Sequence, residues 1–153
     1  MAKAAPEKVL LKGEPNRIER EAAGTIDPGD LLVLGSGNTV IVHATVGGHV
    51  GGRMFAVEND IAGDDFDHDY LSGEVVQIHM ARPGDVMNCH LADGQVAVIG
   101  NLLISSGAGD LDTIAADSIT TLEGAIIGIA LTAVDMSDSA GADPSDRIQV
   151  LIT

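Results

Sequence analysis

The stretch TVIVHATVGGHVGGRMFAVE, residues 39–58, places two short β-rich runs on either side of a glycine cluster. The runs, residues 39–46 and 53–58, are rich in Val, Ile, Thr and Phe, which fit the pleated surface of a strand. The glycines between them tolerate the positive φ angles that tight turns require. The stretch therefore predicts two β-strands joined by a turn.

The same pattern continues in both directions along the chain. Short β-rich runs alternate with clusters of Gly, Pro, Asn and Asp, and the chain has 19 glycines to make turns. Asp93-Gly94 lies between two such runs and predicts a hairpin. No segment keeps a period of 3.6 over the length of a helix, although residues 110–123 could hold a helical turn or two. The further strand runs are residues 30–34, 73–80, 86–92, 95–100, 101–105, 124–135 and 147–153.

These runs predict an all-β fold, a compact barrel-like or sandwich domain of about eight or more short strands over residues 23–153. Residues 1–22 have a different composition, with Pro6, Gly13 and Pro15 and only weak periodicity. We expect this segment to be an extended N-terminal arm, in which the run KVLLK, residues 8–12, could form a short strand.

Charge also separates the first residues from the rest. The chain has a net charge of −15, of which residues 1–20 contribute +2 and the remainder −17. Two interpretations agree with this distribution, a solvated tail and an arm that docks on another surface. Residues 7–13, EKVLLKG, have the residue types that add a strand to a neighbouring sheet.

Composition excludes several classes of function. A strongly acidic chain repels nucleic acid and anionic membranes, which both require a basic surface. Aromatic residues make up only 2% of the chain, so stacking on bases or sugars has little to work with. Neither an export signal nor a run of transmembrane length is visible, so we expect synthesis and retention in a cytoplasm. The single cysteine, Cys89, is expected to be a buried small hydrophobe.

The stretch ENDIAGDDFDHDY, residues 58–70, carries six acidic side chains and raises the question of a metal site. Asp65, Asp67 and Asp69 alternate as at the start of an EF-hand loop, but Tyr70 and Val76 occupy the positions that need Gly and Glu. The favoured interpretation is a solvated loop fixed by Phe66 and Tyr70. The calcium candidates of the alternative interpretation are Asp64, Asp65, Asp67 and Asp69.

Neither a catalytic site nor a cofactor is predicted. The five histidines, His43, His49, His68, His79 and His90, show no zinc-binding spacing. His79 is expected on a solvent-facing or interface position, because it alternates with Ile78 and Met80. The serines lie in turns without a nucleophile elbow, and the glycine clusters match no nucleotide-binding fingerprint.

The order of several motifs resembles the capsid decoration, or cement, proteins of tailed bacteriophages. The runs are GTIDPGDLLVL, FAVENDIAG, YLSGEVVQIHMARPGDVMNCHLADG, VIGNLLISSGAGDL, IIGIALTAVDMS and RIQVLI. Together they cover about residues 24–152. The segment of residues 136–146 departs from the family pattern and is interpreted as an insertion, and residues 1–23 have no detailed match.

The resemblance implies a β-barrel-like domain with an N-terminal arm and no enzymatic activity. Such a protein is made in the host bacterial cytoplasm and sits in the virion, on the outer surface of the mature icosahedral capsid. It binds as trimers at three-fold and local three-fold positions and cements neighbouring subunits of the major capsid protein. The expected partners are this capsid protein and copies of the chain itself. The expected capsid-binding arm residues are Lys3, Lys8, Val9, Leu10, Leu11, Lys12, Arg17 and Arg20.

Two alternatives stay open at this point. The first is a calcium-dependent β-barrel module for attachment on a fibre or a cell surface, against which the low aromatic content counts. The second is a small trimeric β enzyme of the dUTPase type, whose phosphate-binding and catalytic tyrosine motifs are not recognisable in the chain.

Overall fold

The structure, a computed structural model, describes residues 7–48, 51–114, 124–137 and 146–153. Within these ranges the regular secondary structure is entirely β, which confirms the predicted fold class. No helix long and apolar enough to span a membrane occurs in this part of the chain. The strands are β1 (Leu10–Lys12), β2 (Arg17–Ala22), β3 (Leu31–Leu34), β4 (Thr39–Val42), β5 (Met54–Ala56), β6 (Val75–Met80), β7 (Val86–His90), β8 (Val96–Ala97), β9 (Leu102–Ser105), β10 (Leu111–Ile114), β11 (Gly128–Ala130), β12 (Val134–Asp135) and β13 (Arg147–Ile152).

The strands form a sheet, a barrel and a ribbon. Six strands make an antiparallel sheet in the order β1-β7-β13-β11-β9-β10. Five strands, β2-β4-β3-β5-β6, close into a small barrel, in which β2 runs parallel to β4 and antiparallel to β6. Strands β8 and β12 pair as a two-stranded ribbon. Closing the barrel removes the open edges that a five-stranded sheet would otherwise expose.

Two strands of the barrel contribute to two hydrophobic cores at once. Leu31 of β3 and Phe55 of β5 pack with residues of the six-stranded sheet. Leu32 and Met54, their neighbours in sequence, pack in the smaller core of the barrel. Because successive side chains of a strand point to opposite faces, both faces of β3 and β5 are buried. The barrel is thereby packed against the sheet, and aliphatic residues dominate both cores.

The extended arm predicted over residues 1–22 is wrong for its described part. β1 pairs with β7, and Val9 is fully buried in the larger core. β2 pairs with β6 along its whole length from Arg17 to Glu21 and is a wall of the barrel. The physical reason is that β2 alternates charged outer side chains with inner ones, so its charges resembled those of a solvated tail. Residues 1–6, which include Lys3, lie outside the described residues.

Two local predictions also differ from the structure. The turn at Asp93-Gly94 exists, with a φ of 79° at Gly94, but β8 pairs with β12 and not with β7. The predicted hairpin is therefore wrong, because long-range pairing determines where β8 lies. Residues 111–114 form a strand where a helical turn was considered, and residues 115–123 lie outside the described residues.

Candidate functional site

A cluster of charged side chains lies where three segments meet beside the end of β7. The segments are the turn of residues 27–30, called here the Pro28 turn, the acidic loop of residues 58–70, and the start of β13. The side chains interact through hydrogen bonds, ion pairs or close charge contacts. The members of this charged cluster are Asp27, Asp30, Asp69, His90, Asp110, Asp146 and Arg147.

Arg147 ties the acidic loop to the Pro28 turn. Its guanidinium donates to the carbonyl oxygen of Pro28 at 2.8 Å and to that of Phe66 at 2.8 Å. The same group stacks over the Phe66 ring, 4.5 Å from the ring centroid, and lies 3.7 Å from an Asp67 carboxylate oxygen. A planar guanidinium suits this role because it can donate in several directions while stacking on an aromatic face.

His90 makes a second connection to the Pro28 turn. Its Nε2 lies 3.1 Å from the Pro28 carbonyl oxygen, and its Nδ1 lies 2.9 Å from a carboxylate oxygen of Asp146. Both partners are acceptors, so the ring satisfies both contacts only as a doubly protonated imidazolium. Burial by itself lowers the pKa of His90, but the hydrogen bond and charge of Asp146 outweigh burial and raise the pKa above its ordinary value.

The carboxyl groups of the Pro28 turn also have raised pKa values, which in their case favour the neutral form. Asp30 is 5% exposed and accepts a hydrogen bond from the backbone N–H of Asp27 at 2.9 Å. Burial raises the pKa of Asp30 to about 7. Burial and a hydrogen bond with the carboxyl of Asp69 raise the pKa of Asp27 to about 6. The Pro28 turn therefore holds protons on carboxyl groups close to neutral pH.

A glycine makes this close packing possible. Gly109, which precedes β10, has a φ of 91°, and its carbonyl oxygen accepts a hydrogen bond from the N–H of Leu31 at 2.8 Å. A Cβ at this position would lie 2.9 Å from Cγ of Asp30, closer than a real contact allows. The backbone before β10 can therefore lie directly against the buried carboxyl group.

The cluster contains a potential metal-binding group, since ligand atoms of Asp27, Asp30 and His90 lie within 4.8 Å of one another. These residues do not fit a cation well, because both ring nitrogens of His90 already donate to oxygen atoms. A metal ligand must be a neutral imidazole with a free lone pair. The guanidinium of Arg147 also contacts the Pro28 carbonyl oxygen and adds positive charge at this position. The arrangement is better described as a hydrogen-bonded ion cluster.

The structure separates the four calcium candidates of the acidic loop. Asp67 faces Arg147, and Asp69 shares a hydrogen bond with Asp27. Asp65 accepts a hydrogen bond from the backbone N–H of Asp67 at 3.2 Å, as in an Asx turn. Asp64 belongs to no group of potential metal ligands among the described residues. The alternation of carboxylates therefore shapes the loop and connects it to the cluster.

The acidic loop is fixed at both ends, as the favoured interpretation expected. The Tyr70 hydroxyl donates to the Val57 carbonyl oxygen at 2.6 Å, and Tyr70 is buried in the core of the barrel. Phe66 packs against the larger core beneath Arg147. At the start of the loop, the buried Glu58 accepts a hydrogen bond from the backbone N–H of Val9 at 3.1 Å.

The prediction for His79 is wrong, because this side chain is fully buried. Its Nδ1 accepts a hydrogen bond from the N–H of Asn16 at 3.3 Å, so its Nε2 is the donor to Asp85, at 2.9 Å. His79 does face away from Ile78, but both faces of β6 are covered. His43 is buried against Ser105, His68 is exposed, and His49 lies outside the described residues.

Cys89 is fully buried, which confirms its predicted role as a small hydrophobe. Burial also raises the pKa of its thiol, so the reactive thiolate is disfavoured.

The predicted arm residues that the structure describes differ in burial and in their contacts. Lys8 and Lys12 are exposed, Val9 is buried, Leu10 and Leu11 are half-buried, Arg17 pairs with Asp60 at 3.3 Å, and Arg20 donates to the carbonyl oxygen of Glu19 at 2.7 Å.

No motif in the sequence identifies the charged cluster as a whole. Two local signals pointed to part of it. Asp27-Pro28-Gly29-Asp30 is a turn motif with a carboxylate on each side, and Arg147 is an isolated base in an acidic half of the chain. Neither signal shows that residues so distant in sequence meet, since this requires the pairing of β7 with β13.

The cluster predicts an unusual dependence of stability on pH. The pKa values of Asp27 and Asp30 are raised to about 6 and about 7 in the folded protein. Their stabilisation is therefore present below the unfolded pKa, near 3.8, and is lost as the pH rises through the folded values. His90, with a raised pKa, acts in the same direction at higher pH, whereas Asp146, with a lowered pKa, opposes it only in acid.

We expect the free energy of unfolding to be about 2 kcal/mol larger at pH 5 than at pH 7, since one raised carboxyl contributes up to ~1.4 kcal/mol per pH unit. Urea denaturation at several pH values measures this difference. Asp30→Asn, which cannot ionise, should flatten the profile. Equal stability at the two pH values would contradict the protonated state of the turn.

The protein is similar in fold, and not detectably in sequence family, to a protein of solved structure. No protein-family model matches the chain, and no curated protein matches it. Its structure is similar to the crystal structure of the head fiber gp8.5 N base in bacteriophage phi29, with a TM-score of 0.58 and 13% sequence identity. The match covers 92% of this chain and 95% of the other. The barrel and the sheet are therefore both part of the shared fold.

Proposed function

We propose that this chain is a structural phage protein that binds the outer surface of the mature icosahedral capsid, as trimers at three-fold and local three-fold positions. There it cements neighbouring subunits of the major capsid protein and catalyses no reaction. The observation that carries the proposal is the fold shared with a phage head fiber base over nearly the full length of both chains. The order of motifs that resembles capsid decoration proteins supports it independently.

The open edge of the six-stranded sheet offers a contact surface for such a role. Among the described strands, β1 pairs only with β7, so its other edge exposes backbone hydrogen-bonding groups. Lys8 and Lys12 flank this edge and are exposed. A neighbouring extended segment can pair with such an edge, and the lysines favour an acidic partner. Weak contacts of this kind become tight when three copies engage one position together.

The surroundings of the ionisable and nucleophilic side chains that the structure describes support a protein without enzymatic activity. The ionisable groups of the charged cluster are engaged with one another, and Cys89 is buried. A cavity of about 200 Å³ beside β3 is lined mainly by apolar groups. His43, its one titratable lining residue, contacts the Ser105 hydroxyl through Nδ1 at 2.7 Å. The acidic surface suits a virion exterior, because it repels nucleic acid, membranes and other particles.

A second candidate is the base of a head fibre, which the similarity to a phage head fiber base favours. Both functions require binding to a capsid, but they differ in the number of copies. A cement protein occupies every equivalent three-fold position, whereas a fibre base can occupy few of them.

Co-sedimentation with expanded, undecorated heads of the parent phage tests both functions. Saturable binding at a fixed, high ratio to capsid subunits supports the cement function, and a low ratio supports a fibre base. If the folded protein does not bind at saturating concentration, the proposal is wrong. Heads with and without the protein are then compared under osmotic shock, where cementing predicts survival only of the decorated heads.

The exposed edge of β1 is expected to contribute to binding. Lys8→Glu combined with Lys12→Glu should weaken binding to heads about tenfold, because two favourable charge contacts become repulsive. Affinity is measured by co-sedimentation across a protein titration. Arg20→Glu with Arg82→Glu changes the net charge equally at residues outside β1 and serves as the control. Equal effects of the two double variants would show that overall charge, not this edge, determines binding.

A further inference from the structure

We propose that the charged cluster is a pH-controlled clasp, which holds the middle of the acidic loop against the Pro28 turn in mild acid and releases it in mild base. The clasp joins two segments that are distant in sequence. Ile26 and Tyr70 pair antiparallel, which places the next residue of one segment, Asp27, opposite Asp69 of the other, and their carboxyl groups form one contact. Arg147 with the Phe66 carbonyl oxygen forms the other. Release changes the shape and charge of one surface of the molecule.

The loop is built so that its middle can move while its ends stay in place. Glu58 at its start is buried and accepts the Val9 N–H. Tyr70 at its end is buried and exchanges two backbone hydrogen bonds with Ile26, of 2.8 and 3.0 Å. Between these ends, Asp67 and His68 are exposed, and Ile61 is 81% exposed. Apart from Phe66, which packs against the larger core beneath Arg147, the middle of the loop depends on the charged cluster for its position.

Charged groups face the Pro28 turn from the acidic loop, from β7, from the start of β13 and from the segment before β10. Asp27 is faced by Asp69 of the acidic loop and His90 of β7. Asp110, before β10, faces both Asp27 and Asp30. The surrounding groups also affect one another. His90 faces Asp146, Arg147 and Asp30. Arg147 faces Asp146, Asp67 and Asp27. Asp110 faces Asp146, Asp112 and Asp93.

The balance of these charges determines the direction of the switch. The cluster contains five carboxyl groups, those of Asp27, Asp30, Asp69, Asp110 and Asp146, and only two cationic groups, those of His90 and Arg147. When Asp27 and Asp69 share a proton, they attract each other. When both are ionised, they repel each other, and the exposed Asp69 can relieve the repulsion by moving into solvent. The raised pKa values of Asp27 and Asp30, about 6 and about 7, agree with a change near neutral pH.

Hydrogen exchange of the intact protein tests the clasp directly. Peptides that cover residues 59–69 are followed by mass spectrometry at pH 5 and pH 8, with labelling times scaled to the chemical exchange rate at each pH. We expect protection of this segment to fall at least ~fivefold at pH 8, while protection of β6 and β13 is unchanged. Unchanged loop protection, or an equal loss in β6 and β13, would overturn the proposal.

Two matched variants separate the clasp from general charge effects. Asp27→Asn keeps the size and hydrogen-bonding capacity of the side chain but cannot ionise, so the loop should stay protected at pH 8. Asp64→Asn removes a carboxyl group from the same loop outside the cluster, and it should keep the pH response of the parent protein. The proposal fails if Asp27→Asn retains the full response, or if Asp64→Asn abolishes it.

Discussion

Deletion of residues 1–20 is expected to abolish folding. The deletion removes β1 and most of β2, and with them the fully buried Val9 and the partners of β6 from Arg17 onward. A barrel without one wall exposes its apolar core and the unpaired edge of β6. The stability of a domain of this size is only about 5–15 kcal/mol, which such a loss exceeds.

Circular dichroism and thermal melting measure this effect, and we expect no cooperative transition for the deleted chain. Lys8→Ser with Lys12→Ser is the control, because it alters the charge of the same segment at exposed positions and should melt like the parent protein. A deleted chain that melted cooperatively near the parental temperature would restore the interpretation of residues 1–20 as a separate arm.

Replacement of Arg147 by Met is expected to cost about 3 kcal/mol of unfolding free energy. Met preserves much of the apolar stem but removes the charge and the donors. The carbonyl oxygens of Pro28 and Phe66 each lose a guanidinium hydrogen bond, and the acidic cluster loses one of its two cationic groups. Phe66 also loses the cation stacked over its ring.

Urea denaturation at pH 6 provides the measurement. Arg20→Met is the matched control, because Arg20 donates an exposed hydrogen bond to the carbonyl oxygen of the adjacent Glu19, and its replacement should change stability by less than about 0.5 kcal/mol. A similar small loss for Arg147→Met would mean that the acidic loop is held without the guanidinium.

The sequence predicted most of the strands because their signals are local. Residues 31–34, 39–42 and 102–105 are short β-rich runs bounded by turn residues, and each is a strand in the structure. β2 was missed because its exposed side chains are charged, so its alternation contained little apolar signal. For His79, the alternation was interpreted correctly, but a strand covered on both faces buries even the side chain that points away from the core.

The charged cluster could not be predicted for a different reason. Its members belong to a turn, a loop, strands β7 and β13 and the residues just before β10 and β13. His90 meets Arg147 because β7 pairs with β13, and Asp27 meets Asp69 because Ile26 pairs with Tyr70. The raised pKa values of Asp27 and Asp30 arise from burial, which no local motif reports. The sequence predicted a turn at Pro28. The burial that raises the pKa values of Asp27 and Asp30 in this turn depends on the complete fold.

The two strands that flank β7 have a mechanical consequence. β1 and β13 are both antiparallel to β7, so they run parallel to each other, with Lys12 and Leu151 both opposite Val86. Opposite forces applied along β1 and β13 therefore slide the strands past one another. In this shear geometry several backbone hydrogen bonds share the load and must break together, whereas peeling breaks them one at a time. Forced unfolding is governed by the unfolding rate, so this geometry is expected to resist tension along β1 and β13 better than peeling would.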